Sequence, residues 1–249
     1  MKTTSPEELL KAGVHLGHRK QKINPASKKF IFKIESGVSI IDLFQTAPQL
    51  DAACDFVREL GRKGKVLTFV ATKKGARDIV EEASKKNVFS YMTNKWVGGF
   101  LTNFDEVYKN VAMFNTLLEE KESGEWKKYV KHERTSLEKK MNKIAAIYAG
   151  VTKLSKMPDA LFIVDIKKEK NAVNEASRMG IVTIALVDTN SDPADVDFPI
   201  VGNDDALQSV QFIVDAIATS YAEGLALYKV DGDKATAKAK KDADKEKKI

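Results

Sequence analysis

Residues 160–188 read ALFIVDIKKEKNAVNEASRMGIVTIALVD and contain two apolar runs on either side of a polar segment. The runs at 160–165 and 181–188 are short and rich in Ile, Val and Leu, which is typical of strands buried on both faces. The segment at 169–179 has helical spacing and ends at Gly180, a residue that commonly follows a helix. The order strand, helix, strand predicts a parallel sheet.

The same alternation continues on both sides of this stretch. Upstream, the pattern predicts a buried strand at 66–71, a helix near 76–86 and a short strand at 89–92. Downstream, FPIV at 198–201 predicts an edge strand, because its proline cannot donate to a central ladder. A helix is predicted from about residue 204 to 223. We therefore expect an α/β domain with a parallel sheet and helices on both faces.

The N-terminal region, residues 1–33, predicts a short helix followed by a basic arm. Ser5 and Pro6 suit the start of the helix, and Gly13 suits its end. Residues 14–29, which we call the arm, have little apolar periodicity and an Asn-Pro turn signal. This pattern predicts an extended basic segment that becomes ordered only on a bound partner.

Two further strands and a helix are predicted next. FIFKI at 30–34 and VSIID at 38–42 have strand character and are separated by a glycine-containing turn. Thr46 and Gln49 form a capping-box pattern, which predicts that the following helix begins there.

Residues 104–157 interrupt the α/β pattern with two heptad-spaced seams. The seams are Val107, Val111, Phe114 and Leu118, and then Leu137, Met141, Ile144, Tyr148 and Val151. Gly124 lies between them and permits a reversal of the chain. The pattern predicts an antiparallel coiled-coil hairpin that projects from the sheet; the alternative is that both helices pack flat on it.

The α/β domain is therefore discontinuous, with segments 34–103 and 158–230. The last residues, 231–249, are dominated by Lys, Ala and Asp and predict a disordered tail.

Charge is distributed unevenly along the chain, whose net charge is +6. Residues 1–33 hold 8 Lys and Arg against 2 acids, or +6, whereas residues 158–230 hold 5 against 12, or −7. Such asymmetry indicates a polyanionic partner on one side. No apolar run reaches the roughly 20 residues of a membrane span, and no leader pattern is present, so we expect a cytoplasmic protein without membrane contact.

Motifs for catalysis or for a small-molecule substrate were not found. There is no dinucleotide fingerprint, no P-loop and no nucleophile elbow. His15 and His18 are three residues apart, but no acid or cysteine adjoins them in sequence, so no zinc site is predicted. The rival interpretations are an α/β enzyme and a scaffold that binds proteins through the hairpin alone.

The acidic loops near the C-terminal end allow two interpretations. Asp188, Asp192, Asp204 and Asp205 lie in DTNSDPADVD and GNDDA, where carboxylates could hold Mg²⁺. The alternative is that these residues form turns and helix caps. No other cofactor is expected.

Several long segments resemble the family of the second protein of the small ribosomal subunit. They are LKAGVHLGHR (10–19), KGKVLTFVATKKGA (63–76), KWVGGFLTN (95–103), MPDALFIVD (157–165) and ALVDTNSDPADVDFPIVGNDDA (185–206), with NP (24–25), FIF (30–32) and IIDL (40–43). The resemblance covers about residues 5–225 and favours the bacterial and organellar form.

This resemblance implies a flavodoxin-like fold with a protruding hairpin and no enzymatic activity. It also implies a structural role in translation, bound to small-subunit ribosomal RNA between head and body. Neighbouring ribosomal proteins, including the messenger-binding first protein of the subunit, would be partners.

The residues expected to bind RNA are cations, amides, histidines and loop glycines. They are His15, His18, Arg19, Lys20, Lys22, Asn24, Lys28, Lys29, Lys73, Lys74, Arg77, Asn94, Lys95, Trp96, Gly98, Gly99 and Asn103. Trp96 has two interpretations, a base-stacking platform or a packed loop anchor.

Two positions depart from the family pattern. Ile23 replaces an aromatic before the Asn-Pro, so phosphate contact is expected there instead of base stacking. Lys95 replaces an arginine before Trp96, which removes bidentate phosphate recognition.

Overall fold

The structure is a computed structural model that describes residues 4–246, with side chains described for residues 4–230. Its strands are β1 (Leu16–Arg19), β2 (Ile31–Glu35), β3 (Val38–Ile41), β4 (Leu67–Val70), β5 (Ser90–Met92), β6 (Ala160–Val164), β7 (Val182–Val187) and β8 (Phe198–Val201). Its α-helices are α1 (Pro6–Lys11), α2 (Leu43–Arg62), α3 (Lys74–Asn87), α4 (Phe104–Glu122), α5 (Lys131–Tyr148), α6 (Lys170–Met179) and α7 (Leu207–Glu246). Short 3-10 segments are Lys20–Lys22, Pro25–Phe30, Glu125–Lys128, Ala149–Val151 and Pro193–Asp195.

Five parallel strands form the main sheet in the order β5-β4-β6-β7-β8. Counted from β4 in chain order, this is 2-1-3-4-5, the doubly wound order of flavodoxin-like folds. The predicted fold class is therefore confirmed. Strand β8 lies at the edge, where Pro199 is opposite Ala185, as its proline predicted.

Both faces of the main sheet are buried. Phe69 and Phe162 belong to one core, with apolar side chains from α2, α3 and α7. Val70 and Ile163 belong to the other core, with side chains from α6 and from the ends of α4 and α5 nearest the sheet. Each fully buried side chain of this size contributes roughly 1.5–3 kcal/mol. This burial on both faces explains why the strands are continuous apolar runs.

The N-terminal region is folded, contrary to the extended arm that the sequence predicted. Strand β1, which lies within the arm, pairs antiparallel with β3, and β3 pairs with β2, so a second sheet has the order β1-β3-β2. The first helix, α1, is capped by Ser5, whose Oγ accepts a hydrogen bond from the N–H of Glu7 at 3.2 Å. Gly13, with φ of 75°, follows the helix as predicted.

Helix α2 begins earlier than its predicted start at Thr46. Asp42 is the N-cap, and its Oδ1 accepts the N–H of Phe44 at 3.0 Å. The Thr46 hydroxyl instead donates to the carbonyl of Val201 at 2.6 Å in the buried interior. Thr46 therefore ties the helix to β8, and the predicted capping box was wrong.

Helices α4 and α5 pack on one another on either side of a turn at Gly124, where φ is 80°. Phe114, Leu117, Trp126 and Met141 form a small apolar cluster between them. Leu117 is buried and Leu118 is 36% exposed, so the predicted seam is wrong by one residue at that position. The coiled-coil character and the projection of this hairpin remain predictions.

Helix α7 extends beyond its predicted end near residue 223. Its backbone is helical through residues 231–246, where the sequence predicted a disordered tail. Residues 247–249 of that predicted tail lie outside the described residues.

Candidate nucleic-acid interface

The arm crosses the carboxyl edge of the main sheet and is bonded to the loop after β7. The N–H of His18 donates to the Thr189 hydroxyl at 2.9 Å, and the N–H of Asn24 donates to the Thr189 carbonyl at 2.8 Å. The Ser27 hydroxyl donates to the carbonyl of Ser191 at 2.6 Å, in a buried position. These hydrogen bonds fix the arm backbone on the domain.

Gly17 permits the close approach of the arm. A Cβ at this position would lie 2.5 Å from the Ser39 Oγ and 2.8 Å from the Thr189 side chain. These distances are too short for any real Cβ, so a larger residue would push the strand away from the loop. Gly17, the second glycine of the GVHLGH segment, is therefore required by packing.

The cations of the arm point to solvent. Arg19, Lys20, Lys22, Lys28 and Lys29 are all exposed. Among the side chains that the structure describes, none of these five forms an ion pair with an acid. Lys29 lies over the Phe30 ring, with its Nζ 5.0 Å from the ring centroid. The arm therefore presents exposed positive charge, without direct ion pairs among the described residues, on a fixed backbone.

Two other arm residues have their side chains engaged within the protein. Asn24 caps the 3-10 segment that follows it, since its Oδ1 accepts the N–H of Ala26 at 2.9 Å. His18 is half-buried against acidic loops. His15 is also half-buried, and its buried Nδ1 has no hydrogen-bond partner among the residues that the structure describes.

Lys73 lies at the point where the strand order reverses, between β4 and β6, and it is surrounded by carboxylates. Its Nζ is 2.6 Å from Asp204 Oδ1, 2.6 Å from Asp205 Oδ1 and 3.5 Å from Asp165 Oδ2. Burial alone would lower the pKa of Lys73, but the hydrogen bonds to Asp204 and Asp205 outweigh it, and the pKa is raised. Lys73 is thus a charged internal partner of acids, unlike the arm cations.

This pairing fills the region where flavodoxin-like sheets bind small molecules. In such folds the ligand crevice lies at the carboxyl ends of the strands, where the strand order reverses. Here Lys73 and Asp165 occupy it, and the Thr72 hydroxyl donates to Glu169. The chain's own side chains thus take the place that a ligand has in related enzymes.

The remaining predicted cations lie near the ends of the βα units. Lys74, Arg77 and Lys95 are exposed. Arg77 donates to Asn94 Oδ1 at 3.0 Å, and the Asn94 amide donates to the carbonyl of Ala146. The exposed Asn103 is the N-cap of α4 and makes no side-chain capping bond.

The loop at 96–102 is organised by Glu175 of α6, which the sequence analysis did not single out. Glu175 accepts hydrogen bonds from the Trp96 indole at 3.0 Å and from the N–H of Gly99 at 2.9 Å. It also accepts the N–H of Leu101 at 3.0 Å and two bonds from Thr102. Burial raises the pKa of this carboxyl, but these hydrogen bonds outweigh it and the pKa is lowered.

Trp96 is therefore placed as a packed loop anchor. Its side chain is only 7% exposed and packs edge-on against Phe100. Gly98 is exposed and has open space around it, and Gly99 has φ of 88°, a conformation that favours glycine. Glu175 lies on the apolar face of α6, beside Ala172 and Ala176. An acid at such a position is the sequence signal from which it could have been identified.

His18 lies among the acids that the sequence proposed for Mg²⁺. Its Nδ1 is 3.0 Å from Asp188 Oδ2, and its Nε2 is 3.7 Å from Asp205 Oδ2. His18, Asp188 and Asp205 each present one ligand atom, and these atoms lie within 4.8 Å of one another. Asp192 instead caps the 3-10 segment after it, with Oδ1 2.9 Å from the N–H of Ala194.

The charges in this cluster perturb one another. The contact with Asp188 raises the pKa of His18, and burial opposes this effect. Burial, together with the nearby Asp165 and Asp188 carboxylates, raises the pKa of Asp204 to about 7 against the lowering effect of Lys73. The pKa of Asp205 is lowered by Lys73.

None of the helices within the described residues is long and apolar enough to cross a membrane.

The chain is similar to known proteins over most of its length. The family model described as Ribosomal protein S2 matches residues 9–224. The small ribosomal subunit protein uS2 of Bdellovibrio bacteriovorus is 40% identical over 224 residues, which are 90% of this chain and 72% of that relative. The corresponding protein of Desulforapulum autotrophicum is 42% identical over 87% of this chain and 78% of its own length. That of Dictyoglomus thermophilum is 39% identical over 91% of this chain and 92% of its own.

Proposed function

This chain belongs to the ribosomal protein S2 family, and we propose that it binds small-subunit ribosomal RNA through the exposed cations of its arm. Its role in translation is structural. Members of this family are named as ribosomal proteins and are not enzymes, as the absence of catalytic motifs in the sequence predicted. The role needs no cofactor, and ribosomal RNA and other small-subunit proteins are its partners.

One observation carries the RNA proposal: the five arm cations are exposed and form no direct ion pair among the described residues, on a backbone that the domain holds in place. Phosphate contacts position a protein on RNA, and folded RNA is recognised largely by its shape and backbone. Cations on a fixed backbone lose little conformational entropy on binding, which favours affinity.

A second basic surface supports the same proposal. Arg77 and Lys95 are exposed beside the 96–102 loop, in which Gly98 leaves room for close approach of a backbone. Lys74, about one helical turn before Arg77, is also exposed and lines a groove with Leu207. Lys73 is left out of this surface, because its ammonium is already paired with Asp204 and Asp205. Trp96 supports the loop from inside, and we assign it no stacking contact.

The experiment compares two triple variants that remove the same charge. Arg19, Lys20 and Lys22 are replaced by Ala in one variant. In the control, Ala replaces one arginine and two lysines that are also exposed but precede β4, at the opposite end of the sheet. The control residues are Arg62, Lys63 and Lys65.

Affinity for small-subunit ribosomal RNA is measured as a function of salt concentration. The slope of log affinity against log salt should become shallower by about 2–3 in the arm variant, since each lost phosphate contact contributes roughly 0.7–0.9. The control should keep the slope of the unaltered protein. An arm variant with the same slope as the control would remove the arm from the interface.

We further propose that the protein lies between head and body of the subunit in the cytoplasm and helps to dock the messenger-binding first protein. An open, mainly apolar groove of about 880 Å³ between α3 and α7 supports a protein contact. Its apolar lining includes Ile79, Phe212 and Leu207, of which Leu207 is 59% exposed, and the charged Lys74, Asp78 and Asp215 also line it. An apolar surface of this kind suits a protein partner better than RNA.

A further inference from the structure

The loop after β6, residues 165–170, carries a group of lysines that the sequence analysis did not single out. Residues 158–230 hold 5 Lys and Arg against 12 acids, yet three of these cations, Lys167, Lys168 and Lys170, lie in this loop. All three are exposed. Among the side chains that the structure describes, none of the three forms an ion pair with an acid. The acidic segment thus concentrates its positive charge at one point.

Hydrogen bonds hold this loop in one conformation. Asp165 has a left-handed backbone, with φ of 69°, and its Oδ1 accepts the N–H of Lys168 at 3.0 Å. An aspartate tolerates this conformation because its short side chain bonds to the backbone nearby. Lys168 Nζ donates to the carbonyl of Thr72 at 2.9 Å, and Glu169 accepts the N–H of Thr72 at 3.0 Å. The loop after β6 is therefore bonded to the loop after β4.

The two acids of the loop are directed into the protein. The Asp165 side chain is 12% exposed, and its Oδ2 is 3.5 Å from Lys73 Nζ. Glu169 is 3% exposed, and its carboxylate accepts both the N–H and the hydroxyl of Thr72. Burial raises the pKa of Glu169 above its ordinary value of 4.5. The exposed side chains of the loop are therefore its lysines.

Strand order places this loop between the two basic surfaces of the proposed RNA interface. The main sheet has the order β5-β4-β6-β7-β8, and the loops that follow parallel strands lie at one edge of the sheet. Arg77 and Lys95 follow β4 and β5, whereas the arm is bonded to Thr189, which follows β7. Neighbouring strands are about 4.8 Å apart, so β4 and β7 are separated by roughly 10 Å, with β6 between them. Loops this close together can contact one stretch of RNA backbone.

We propose that Lys167, Lys168 and Lys170 bind phosphates of the same ribosomal RNA segment as the arm, so that the arm, this loop and the second basic surface form one continuous phosphate-binding surface. This inference rests on the proposed function. An ammonium binds phosphate as a point charge on a flexible stem, so lysines on a fixed loop can follow the shape of the RNA backbone. The Lys168 ammonium has three donors, and its bond to Thr72 leaves two of them for phosphate.

The test compares two double variants of the full chain that remove the same charge. Lys167 and Lys170 are replaced by Ala in the loop variant, and Lys168 is retained because it holds the loop on Thr72. Ala replaces Lys63 and Lys65 in the control, since both are exposed at the opposite end of the sheet.

Affinity for small-subunit ribosomal RNA is again measured as a function of salt concentration. The slope of log affinity against log salt should become shallower by about 1.4–1.8 in the loop variant, at roughly 0.7–0.9 for each lost phosphate contact. The control should keep the original slope. A loop variant with the slope of the control would overturn the proposal.

Measuring the arm variant in the same series separates this inference from the proposed function. A shallower slope in the arm variant alone would refute the loop contact and leave the proposed function intact, whereas unaltered slopes in both variants would refute both. The single surface is tested with the shortest RNA fragment that retains the slope difference of the arm variant. The loop variant should keep its slope difference on this fragment, and its loss would show that loop and arm contact separate RNA segments.

Discussion

Replacing Glu175 by Gln should lower the free energy of unfolding by about 4 kcal/mol. The carboxylate is 8% exposed, and its two oxygens accept five hydrogen bonds from the loop at 96–102. An amide has only one oxygen, so at least two buried donors lose their acceptor. Each unsatisfied buried donor costs roughly 1–3 kcal/mol, which gives a range of about 2–6 kcal/mol.

The effect should also depend on pH in a defined direction. The pKa of Glu175 is lowered in the folded protein from its ordinary value of 4.5. The carboxylate therefore contributes its full stability above the unfolded pKa and loses it as the pH falls through the folded pKa. The difference in unfolding free energy between the unaltered protein and Glu175→Gln should be constant from neutral pH to about 4.5. Below that value it should shrink.

Urea unfolding measured at several pH values provides both quantities. Glu119→Gln is the matched control, because Glu119 is exposed and has no side-chain partner among the described residues. It should change the unfolding free energy by less than about 0.5 kcal/mol. A loss of less than about 1 kcal/mol in Glu175→Gln at neutral pH would show that the loop is held by packing and not by this carboxylate.

Two further predictions concern the hairpin and the groove. Leu117→Ala should lower the free energy of unfolding in urea by about 2–4 kcal/mol, because Leu117 is buried. Leu118→Ala should lower it by less than about 1 kcal/mol, because Leu118 is partly exposed. A larger loss in Leu118→Ala than in Leu117→Ala would contradict the packing. Leu207→Asp should reduce retention of the messenger-binding first protein on purified small subunits several-fold, because it places a charge in the apolar groove. Leu227→Asp, on the same helix but outside the groove lining, is its control, and equal retention in both would exclude the groove.

The main sheet was predictable because its signals are local. Strands β6 and β7 are buried on both faces, so each is a continuous apolar run that needs no partner to be recognised. The proline of β8 predicted an edge strand, and the structure places it there. Alternation of strands and helices then restricts the sheet to parallel pairing.

The arm could not be predicted because its stabilising contacts are distant in sequence. Strand β1 has four residues, and its neighbours are β3 and the loop after β7. Because the arm is highly charged and has weak apolar periodicity, its sequence resembles that of a disordered segment. The start of α2 was missed for a different reason: Asp42 and Thr46 both suit an N-cap, and only the bond from Thr46 to β8 decides between them.

The residue types of the candidate interface could be predicted from the sequence, but the ion pairs and hydrogen bonds among these residues could not. Exposure of Arg19 and its neighbours follows from charge alone. The pairing of Lys73 with Asp204 joins residues 131 positions apart, which no local pattern reveals. Glu175 carried a visible signal, an acid on an apolar helix face, but its five donors come from a loop more than 70 residues upstream.

The hydrogen bonds between the arm and Thr189 determine when the arm can fold during synthesis of the chain. The His18 to Thr189 hydrogen bond spans 171 residues, and the His18 to Asn190 contact spans 172. The arm therefore cannot adopt its final conformation until the loop after β7 has been made. Contacts of such long range form late and slowly. A truncated chain lacking the loop after β7 would carry the same cations on a segment without these contacts. Under the proposed function, RNA would therefore meet the cations in their final arrangement only after synthesis has passed residue 191.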